Sequence, residues 1–530
     1  MSGPMAYEDA NGAQEVQELG LSTAKRGAVY VGGEIATSFI VLALLIFLAR
    51  VLQPSSFGLY SIAVSFAALL GIAGNFGMGT AFRKMLPGVR EGDAARTRKI
   101  LANGYSIAMA IGAVIAVVGF LLSGAIARNV YGNPALGAAL EIAAIAEFVS
   151  VVFNLAQAAL VGLGLVKEAT IANAAYSASY LVGSVVLVLL GYGVTGAVAG
   201  MLIGLAVGGA AGLAFLFRKT GLFVLGTERK TAMEVASFSA PVVASNVAMQ
   251  GVLNFSVLFL GVFAAASVVG NYGSAFKLAR FVDLTIASIT FILLAAFSKA
   301  LSGKGTSERI GTIYNNSLYY TFLLMLPLVA YGIALAKPIV GVLFSSQYSS
   351  APLYFSIMIA GMAVGMIGTY AGTLIIGNGD TRRFMKYQIS VVAIEIGLLV
   401  LLTPLYKAQG VLVAMFVVAP IVSDIIYIRA LREQFRFRHS FGRLASVAAS
   451  SAILGIAMFA VSYALNQGYA ALLVDAVVAA VLFPPLLALT KGIDRKNIDF
   501  IRSAGARLRQ LHYITDAFAG YTSVFVRDAA

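Results

Sequence analysis

Three charged residues, Lys277, Arg280 and Asp283, lie inside a long apolar stretch of the sequence. Their spacing of three and six positions places them along one side of a helix. A charge held in hydrocarbon costs about 3 kcal/mol or more, so such residues commonly mark a functional site. Two cations there could bind an anionic group, which arginine can hold through two hydrogen bonds. Alternatively, Arg280 and Asp283 could pair with each other and brace two helices.

A second set of polar residues lies in other apolar stretches of the chain. Asn246, Gln250 and Asn254 recur at every fourth position, and Glu34 and Asn75 lie in two earlier stretches. A side-chain amide both donates and accepts hydrogen bonds, which suits it to sugar hydroxyls. We therefore interpret these residues as candidates for binding a hydroxylated ligand. Hydrogen bonding between neighbouring helices is the alternative that the pattern leaves open.

Three further acids lie in apolar surroundings: Glu147, Glu395 and Asp424. Each could bind a proton or Na⁺ and so couple the protein to an ion gradient across a membrane. Each could equally pair with a neighbouring helix, and the sequence does not choose among them. Arg83 and Lys84 could attract an anion, but we interpret them as ordinary basic residues at the end of a membrane segment. No resident cofactor is expected.

The composition is that of a membrane protein. Of the 530 residues, 60% are hydrophobic and 11% are charged, far from the averages of soluble domains. About fourteen apolar runs are each near the roughly 20 residues that cross a bilayer as a helix, and they lack the alternation of barrel strands. The sequence therefore predicts an all-α polytopic membrane protein. Its first, second, seventh and eighth segments are Ala28–Ala49, Leu59–Ala81, Val235–Phe263 and Gly270–Phe297.

The distribution of basic residues fixes the expected orientation. With the N-terminus inside, 31 of the 37 Lys and Arg residues fall on the inner side and four on the outer side, as the positive-inside rule requires. We therefore expect a multi-pass protein of the cell membrane with both termini in the cytoplasm. The formal net charge of +14 is then loop charge facing anionic lipid heads, which argues against nucleic-acid binding.

The chain repeats itself about 210 residues later. LARVLQPSSFGLY and LGVFAAASVVGNYG align at Gly58 and Gly270, 212 positions apart, and further glycines match at offsets of 214 and 215. Each copy holds six segments, so both copies have the same orientation in the membrane. We therefore expect an N-lobe at 28–217 and a C-lobe at 235–428, related by a pseudo-two-fold axis along the membrane normal.

Segments outside the repeat complete the predicted organisation. Residues 1–27 are polar and are expected to form a disordered cytoplasmic tail, and residues 444–489 add two extra membrane helices. Residues 491–530 form a second cytoplasmic tail, in which an amphipathic helix is expected to lie on the inner leaflet; a solvated tail is the alternative. The apolar face of that helix consists of Ile498, Ile501, Leu508 and Leu511.

The motifs LARVLQPSSFGLY, GIAGNFGMGTAF and VGNYGSAFKLAR, in this order and spacing, carry a resemblance to a known family. Over about residues 20–490 the chain resembles the polysaccharide-transporter branch of the multidrug/oligosaccharidyl-lipid/polysaccharide (MOP) flippase superfamily. The resemblance implies twelve core helices in two lobes and alternating access. It also implies transfer of a lipid-linked oligosaccharide from the cytoplasmic to the external leaflet. Two extra C-terminal helices occur in relatives.

The cargo implied by the resemblance has a phosphate or pyrophosphate, a glycan and a polyprenyl tail. We expect Lys277 and Arg280, with Asp283 beside them, to meet the phosphate. Glu34, Asn75 and the Asn246, Gln250 and Asn254 stripe are then expected to face the glycan. Partners consistent with this role are the lipid-linked glycan, membrane lipids, and glycosyltransferases or a polymerase.

Enzymatic functions are disfavoured. The chain has no cysteine, its two histidines, His439 and His512, have no metal-ligand spacing, and SGKGTS lacks two positions of a nucleotide-binding loop. Two other membrane functions stay open. One is an H⁺- or Na⁺-coupled exporter of organic cations from the same superfamily, which would favour cavity carboxylates over fixed cations. The other is a non-transporting scaffold for glycan synthesis.

Overall fold

The computed structural model describes residues 5–89, 93–221, 226, 228, 230–234, 250–302, 307–435, 440–506 and 512–526. Side chains are described from residue 32 onward, except at 281–289, 291–292, 294–296, 298–300, 302, 307 and 504. Within these ranges the chain forms helices and connecting turns and no β-strand. The protein divides into two compact units, Met1–Gly270 and Asn271–Ala530.

The first unit is a bundle of apolar helices. They are α1 Met5–Gly74, α2 Met78–Met85, α3 Ala94–Ala125, α4 Leu136–Gly162, α5 Val166–Leu187, α6 Gly193–Thr220 and α7 Val252–Phe263. α1 bends at Gln53, whose φ of 59° lies in the left-handed region. Short π-helical turns, Ile126–Val130 and Val188–Tyr192, extend α3 and α5. α4 lies at the centre of the bundle, since α1, α2, α3, α5 and α6 all pack against it.

Glycines at every fourth position let α6 approach its neighbours closely. They line one face of the helix: Gly196, Gly200, Gly204, Gly208 and Gly212. A side chain at Gly200 would overlap Ser184 of α5, and a methyl group at Gly204 would come within 2.7 Å of Tyr180. Small residues at such crossings allow the close van der Waals packing that holds membrane helices together.

The second unit is also helical. Its helices are α8 Ala266–Ser302, which begins at the end of the first unit, α9 Ser307–Ala334, α10 Ala336–Leu343, α11 Ala351–Gly377, α12 Thr381–Leu412, α13 Ala419–Phe435, α14 Phe441–Ala464, α15 Ala470–Leu489, α16 Arg495–Ala506 and α17 His512–Ser523. A π-helical segment, Val413–Val418, joins α12 to α13. α11 packs against α9, α12 and α13, and α14 packs against α9 and α15.

The helix lengths agree with a membrane-spanning bundle. Within the described residues, nine helical ranges are long and apolar enough to cross a membrane. Three of the nine are 43 or 55 residues long and contain a non-helical residue near their middle. At about 1.5 Å per residue each would be about 60 Å or longer if straight, roughly twice the hydrocarbon thickness. The predicted all-helical membrane fold is confirmed, whereas the count of fourteen stays a prediction.

The second predicted segment, Leu59–Ala81, is interrupted. α1 ends at Gly74, and a turn through Phe76 and Gly77 leads into α2. Phe76 has a φ of 40° and Gly77 a φ of 66°, a left-handed conformation that glycine adopts readily. Because the stretch is predominantly apolar and carries no charge, hydropathy alone did not predict the break.

The N-terminal residues differ from their prediction. The tail expected to be disordered is helical from Met5 onward and continues into the first membrane segment. Its polarity suggested disorder, but Ala, Glu, Gln and Leu are strong helix formers, and no proline lies between Met5 and Gln53. Helix propensity therefore outweighs low hydrophobicity here.

The C-terminal residues also differ from their prediction. The single amphipathic helix expected there is replaced by α16 and α17, and Leu508 and Leu511 lie outside the described residues. Ile498 is buried, and the ring of Phe500 stacks on Tyr320 of α9 with centroids 4.6 Å apart. Part of the apolar face of α16 is thus covered by protein, while Phe500 stays 52% exposed. Whether this helix lies on the inner leaflet stays a prediction.

The boundary between the compact units lies later than the predicted start of the C-lobe at residue 235. α7 belongs to the first unit because it packs against α1 and the turn after α3: Tyr131 Oη donates to Leu258 O at 3.2 Å, and Gly261 faces Ile62. The boundary of a compact unit depends on contacts in the structure, whereas the lobes were predicted from a repeat in the sequence, so the two boundaries need not coincide. The lobes at 28–217 and 235–428 therefore stay a prediction.

Candidate functional site

A polar cavity of about 570 Å³ lies within the otherwise apolar first unit. We refer to it as the first-unit cavity. α1, α2, α4 and the start of α7 supply its walls. The lining residues are Ala68, Gly71, Ile72, Asn75, Gly77, Gly79, Thr80, Arg83, Glu147, Ser150, Asn154, Gln157, Ala158, Gln250 and Asn254. Its volume falls within the range of about 300–1,000 Å³ that is usual for small-molecule sites.

The break between α1 and α2 forms one wall of this cavity. Asn75 follows directly after α1, and its Nδ2 donates to Gly71 O at 3.1 Å. The turn then brings Gly79 and Thr80 of α2 to the cavity, with Arg83 in the last turn of the same helix. The N-terminal end of a helix carries partial positive charge. This wall therefore suits electron-rich oxygen atoms.

α4 contributes a polar stripe, of which we predicted only one member. Glu147, Ser150, Asn154 and Gln157 follow one another at intervals of three and four residues, and all four line the cavity. Such spacing places them on one face of the helix. Gln157 Nε2 also donates to Ala169 O at 3.1 Å, which ties the stripe to α5. The spacing of polar residues in so apolar a helix was the signal that could have revealed all four.

The amides that precede and open α7 form the third wall. Gln250 and Asn254 both line the cavity, and Asn254 Nδ2 donates to Gln250 O at 3.0 Å. Asn246, the third member of the predicted stripe, lies outside the described residues. The fold thus brings Asn75, Gln250 and Asn254 together in one cavity, although they come from distant parts of the sequence. Whether they bind a ligand stays a prediction.

The cavity lining contains one acid and one base. Glu147 is 3% exposed, and its Oε2 accepts a hydrogen bond from Ser150 Oγ at 2.9 Å. Its Oε1 has no hydrogen-bond partner among the described residues. Arg83 is exposed, and in the part of the chain that the structure describes no ion pair joins it to Glu147. The site therefore combines five amides and two hydroxyls with two charges of opposite sign.

Glu34 does not line this cavity. Its Oε1 accepts a hydrogen bond from Asn173 Nδ2 of α5 at 2.9 Å, and its backbone oxygen accepts from the hydroxyls of Thr37 and Ser38. Asn173 Nδ2 also lies 3.4 Å from Thr37 Oγ1. The predicted alternative, hydrogen bonding between helices, describes these contacts; whether Glu34 also binds glycan stays a prediction.

The predicted cationic pair lies in the second unit. Lys277 and Arg280 are half-buried on α8 and do not line the first-unit cavity. Asp283 lies on the same helix, but its side chain is outside the described residues, and so is the alternative ion pair with Arg280. Their role in binding phosphate stays a prediction.

The remaining acids lie apart from the first-unit cavity. Asp424 Oδ1 accepts a hydrogen bond from Gly368 N at 2.7 Å, which joins α13 to α11, and Glu395 is half-buried on α12. Asp475 of α15, which we did not predict, is 0% exposed, and neither of its carboxyl oxygens has a hydrogen bond among the described residues. The sequence feature that could have revealed Asp475 is a single acid within the apolar stretch AALLVDAVVAAV. Within the described ranges, no group of three His, Asp or Glu residues could hold a metal ion.

A groove of different character lies in the second unit between α9 and α14. It has a volume of about 420 Å³, and Ser451 is the one hydroxyl in an otherwise apolar lining that includes Leu326, Ile333, Ile456 and Phe459. None of the predicted polar residues lines it. Of these two sites, the first-unit cavity is therefore the one able to hydrogen-bond a hydroxylated or charged ligand.

Comparison with protein families gives one match. A family described as "Polysaccharide biosynthesis protein" matches residues 47–352, which is more than half of the chain. No curated protein matches the sequence.

Comparison with solved structures gives several matches of low sequence identity. The chain is similar to a lipid II flippase MurJ in an inward closed conformation, with a TM-score of 0.71 and 12% identity over 87% of this chain and 98% of that one. It is also similar to an inward-facing multidrug resistance MATE family transporter of the MOP superfamily, with a TM-score of 0.60 and 19% identity over 75% and 96% of the two chains. A third match, at TM-score 0.52 and 16% identity over 77% and 94%, is a MOP superfamily transporter from Pyrococcus furiosus. These likenesses show a common fold.

Proposed function

Because the chain belongs to the polysaccharide biosynthesis protein family, we propose that it is a flippase for a lipid-linked oligosaccharide. It moves a polyprenyl phosphate or pyrophosphate that carries a glycan from the cytoplasmic to the external leaflet by alternating access. The observation that carries this proposal is a polar, amide-rich cavity inside an apolar membrane bundle.

The chemistry of the cavity fits the head group of such a cargo. Taking hydroxyls and charges through hydrocarbon without hydrogen-bond partners is costly for each polar group, so transport requires a polar path. Asn75, Gln250 and Asn254 offer amide groups, and Ser150 and Thr80 offer hydroxyls. These groups both donate and accept hydrogen bonds, as sugar hydroxyls do. The polyprenyl tail needs no such path because it is itself apolar.

In this proposal, Lys277 and Arg280 bind the phosphate group of the cargo. Fixed cations on a membrane helix are expensive unless an anion or a polar environment compensates them. An arginine can hold phosphate oxygens through two hydrogen bonds, and a lysine adds a point charge. The equivalent positions in the first repeat, Ser65, Ala68 and Gly71, are uncharged, so the repeated architecture itself does not require these charges.

A second candidate function is export of organic cations driven by an ion gradient. Glu147, a buried carboxyl that lines the first-unit cavity, favours it. A cationic substrate would pair with that carboxylate, whereas Arg83 and the cations of α8 would repel it. The two functions therefore predict opposite responses when positive charge is removed.

The experiment is reconstitution of the full chain in proteoliposomes with two substrates. Translocation of a fluorescent polyprenyl-pyrophosphate oligosaccharide is followed by its protection from an added glycosidase, and export of ethidium is followed by its fluorescence. A flippase protects the glycolipid and does not move ethidium, an exporter does the reverse, and a scaffold moves neither.

The variant that tests the proposal neutralises both cations, Lys277→Gln with Arg280→Gln. Its matched control is Arg218→Gln with Lys219→Gln, at the exposed end of α6. We expect glycolipid translocation to be lost in the first variant and kept in the control. Unchanged translocation in both would overturn the role of the two cations, and ethidium export alone would overturn the flippase.

A further inference from the structure

Glu147 occupies a site built for a carboxyl group. It projects from the middle of α4 toward α1, where Gly71 and Gly74 face it. A side chain at Gly71 would overlap Oε2, and a methyl group at Gly74 would come within 3.0 Å of Oε1. The two glycines, one helical turn apart, therefore leave room for the carboxyl group and for little else.

Only one of the two oxygens of the Glu147 carboxyl group has a hydrogen bond among the described residues. Ser150 donates to Oε2 at 2.9 Å, whereas Oε1 has no hydrogen bond within the described residues, and Glu147 is 3% exposed. An ionised carboxylate in such surroundings is strongly disfavoured unless a cation or a proton compensates it. Because Glu147 lines the first-unit cavity, a proton could reach the carboxyl group from there and leave by the same path.

The same cavity has features that attract an anion. The first turn of α2 lines it with Gly79 and Thr80, and Arg83 of the same helix adds a full positive charge. An ionised Glu147 would repel an anion in this space, whereas a protonated Glu147 would leave Arg83 as the one charge of the lining. Anion binding and protonation of Glu147 should therefore favour each other.

We propose that Glu147 binds a proton together with an anionic head group in the first-unit cavity, so that cargo loading takes up a proton. The proposal deepens the proposed flippase function and rests on it. It assigns an organic phosphate or diphosphate to the first-unit cavity at one stage of the transport cycle, whereas Lys277 and Arg280 contact the phosphate at another stage. Protonation of Glu147 then adjusts the charge of the cavity to that ligand. By linkage, protonation raises the affinity for the anion by the same factor as the anion raises the affinity for the proton.

Other charged groups on the helices around α4 lie away from Glu147. Glu34 of α1 is hydrogen-bonded to Asn173, and Arg96 and Lys99 of α3 pair with Glu234 and Glu228. Among the side chains that the structure describes on these helices, the other charges lie outside the cavity lining: Arg50, Lys84, Arg98, Arg128, Glu141, Lys167, Glu168, Arg218 and Lys219. Arg83 is therefore the charge that shares the cavity with Glu147, and the pH response is assigned to Glu147.

The test is calorimetric binding of geranylgeranyl diphosphate to the full chain in nanodiscs, over a series of pH values. Two buffers with different ionisation enthalpies give the number of protons taken up. For the wild type we expect net proton uptake on binding and an affinity that falls by about 5-fold or more as the pH rises. The probe titrates identically in every variant, so differences between variants report the protein.

Glu147→Gln, which is neutral at every pH, is the decisive variant. It should bind the diphosphate with the high affinity of the acidic wild type, with a weaker pH dependence and less proton uptake. Gly74→Ala, which crowds Oε1, should shift the pH dependence. Gly137→Ala, on the same helix as Glu147 but outside the cavity lining, should not, since its methyl group would meet Ala127 at an ordinary 3.8 Å. Proton uptake that is equal in wild type and Glu147→Gln, or proton release on binding, would overturn the proposal.

Infrared difference spectra provide a readout that does not depend on the stability of a variant. Adding the diphosphate to the wild type at high pH should raise the carbonyl band of a protonated carboxylic acid, and Glu147→Asp should shift that band. If the glycolipid is translocated but this band is absent, the proton site is overturned and the flippase function stands. If neither diphosphate binding nor glycolipid translocation occurs, the proposed function itself fails.

Discussion

Gly58 and Gly270, which are 212 positions apart, each lie against a backbone carbonyl from the other copy of the repeat. A side chain at Gly58 would overlap Ala266 O, and a side chain at Gly270 would overlap Pro54 O. Pro54 and Ala266 are themselves 212 positions apart. The four residues thus form a reciprocal, locally two-fold contact between the part of α1 that follows the bend at Gln53 and the start of α8.

This contact predicts that both glycines are needed for stability. Gly58→Ala and Gly270→Ala should each lower the free energy of unfolding by about 1–3 kcal/mol, because the obstacle is backbone and cannot rotate away. Denaturant unfolding of the purified protein would measure the change. Gly341→Ala is the control, since an added methyl group there meets open space. Equal stability of all three variants would contradict the reciprocal contact.

Asp424 is predicted to stabilise the fold by accepting a hydrogen bond from the backbone of α11. Asp424→Asn should keep the hydrogen bond from Gly368 N and leave stability nearly unchanged, because the amide oxygen can also accept it. Asp424→Ala should cost about 1–3 kcal/mol, because the bond between α11 and α13 is lost. Unfolding free energies and the ion dependence of transport are the two measurements. An Asn variant that is stable but has lost its ion dependence would show instead that Asp424 couples transport to an ion.

Glu34 and Asn173 are predicted to stabilise the packing of α1 against α5. A double-mutant cycle with Glu34→Ala and Asn173→Ala should give a coupling free energy of about 0.6 kcal/mol, with about 1.7 kcal/mol as the upper end for membrane helices. Both single variants should retain glycolipid translocation, since neither residue lines the first-unit cavity. Additive effects on stability, or loss of translocation with normal stability, would point to a ligand-binding role instead.

The sequence predicted the helical membrane fold because apolar runs of bilayer length have few alternatives in lipid. It predicted Asn75, Gln250 and Asn254 as polar residues of interest because isolated amides stand out in an apolar background. That these residues share a cavity depends on the turn at Phe76 and Gly77, which no hydropathy pattern encodes.

Other parts of the site were missed for physical reasons. Ser150, Asn154 and Gln157 are common residues individually, and only their spacing from Glu147 marks a shared face. Asn173 was missed because its partner, Glu34, lies 139 positions away. Contacts at such separation follow from packing and cannot be deduced from one sequence without the fold.

The most direct test of the proposed function replaces the amides of the first-unit cavity by apolar residues of similar size. The combined variant Asn75→Leu, Gln250→Met, Asn254→Leu keeps the volume of the lining and removes its hydrogen-bonding groups; Gln347→Met, at an exposed amide of the second unit, is the control. The measurement is the rate of glycolipid translocation in proteoliposomes. If the amides bind the cargo, the cavity variant should fold normally and lose about tenfold or more of the translocation rate, which corresponds to roughly 1.4 kcal/mol. The control should keep the wild-type rate. A cavity variant that translocates glycolipid as fast as the wild type would contradict the proposed function.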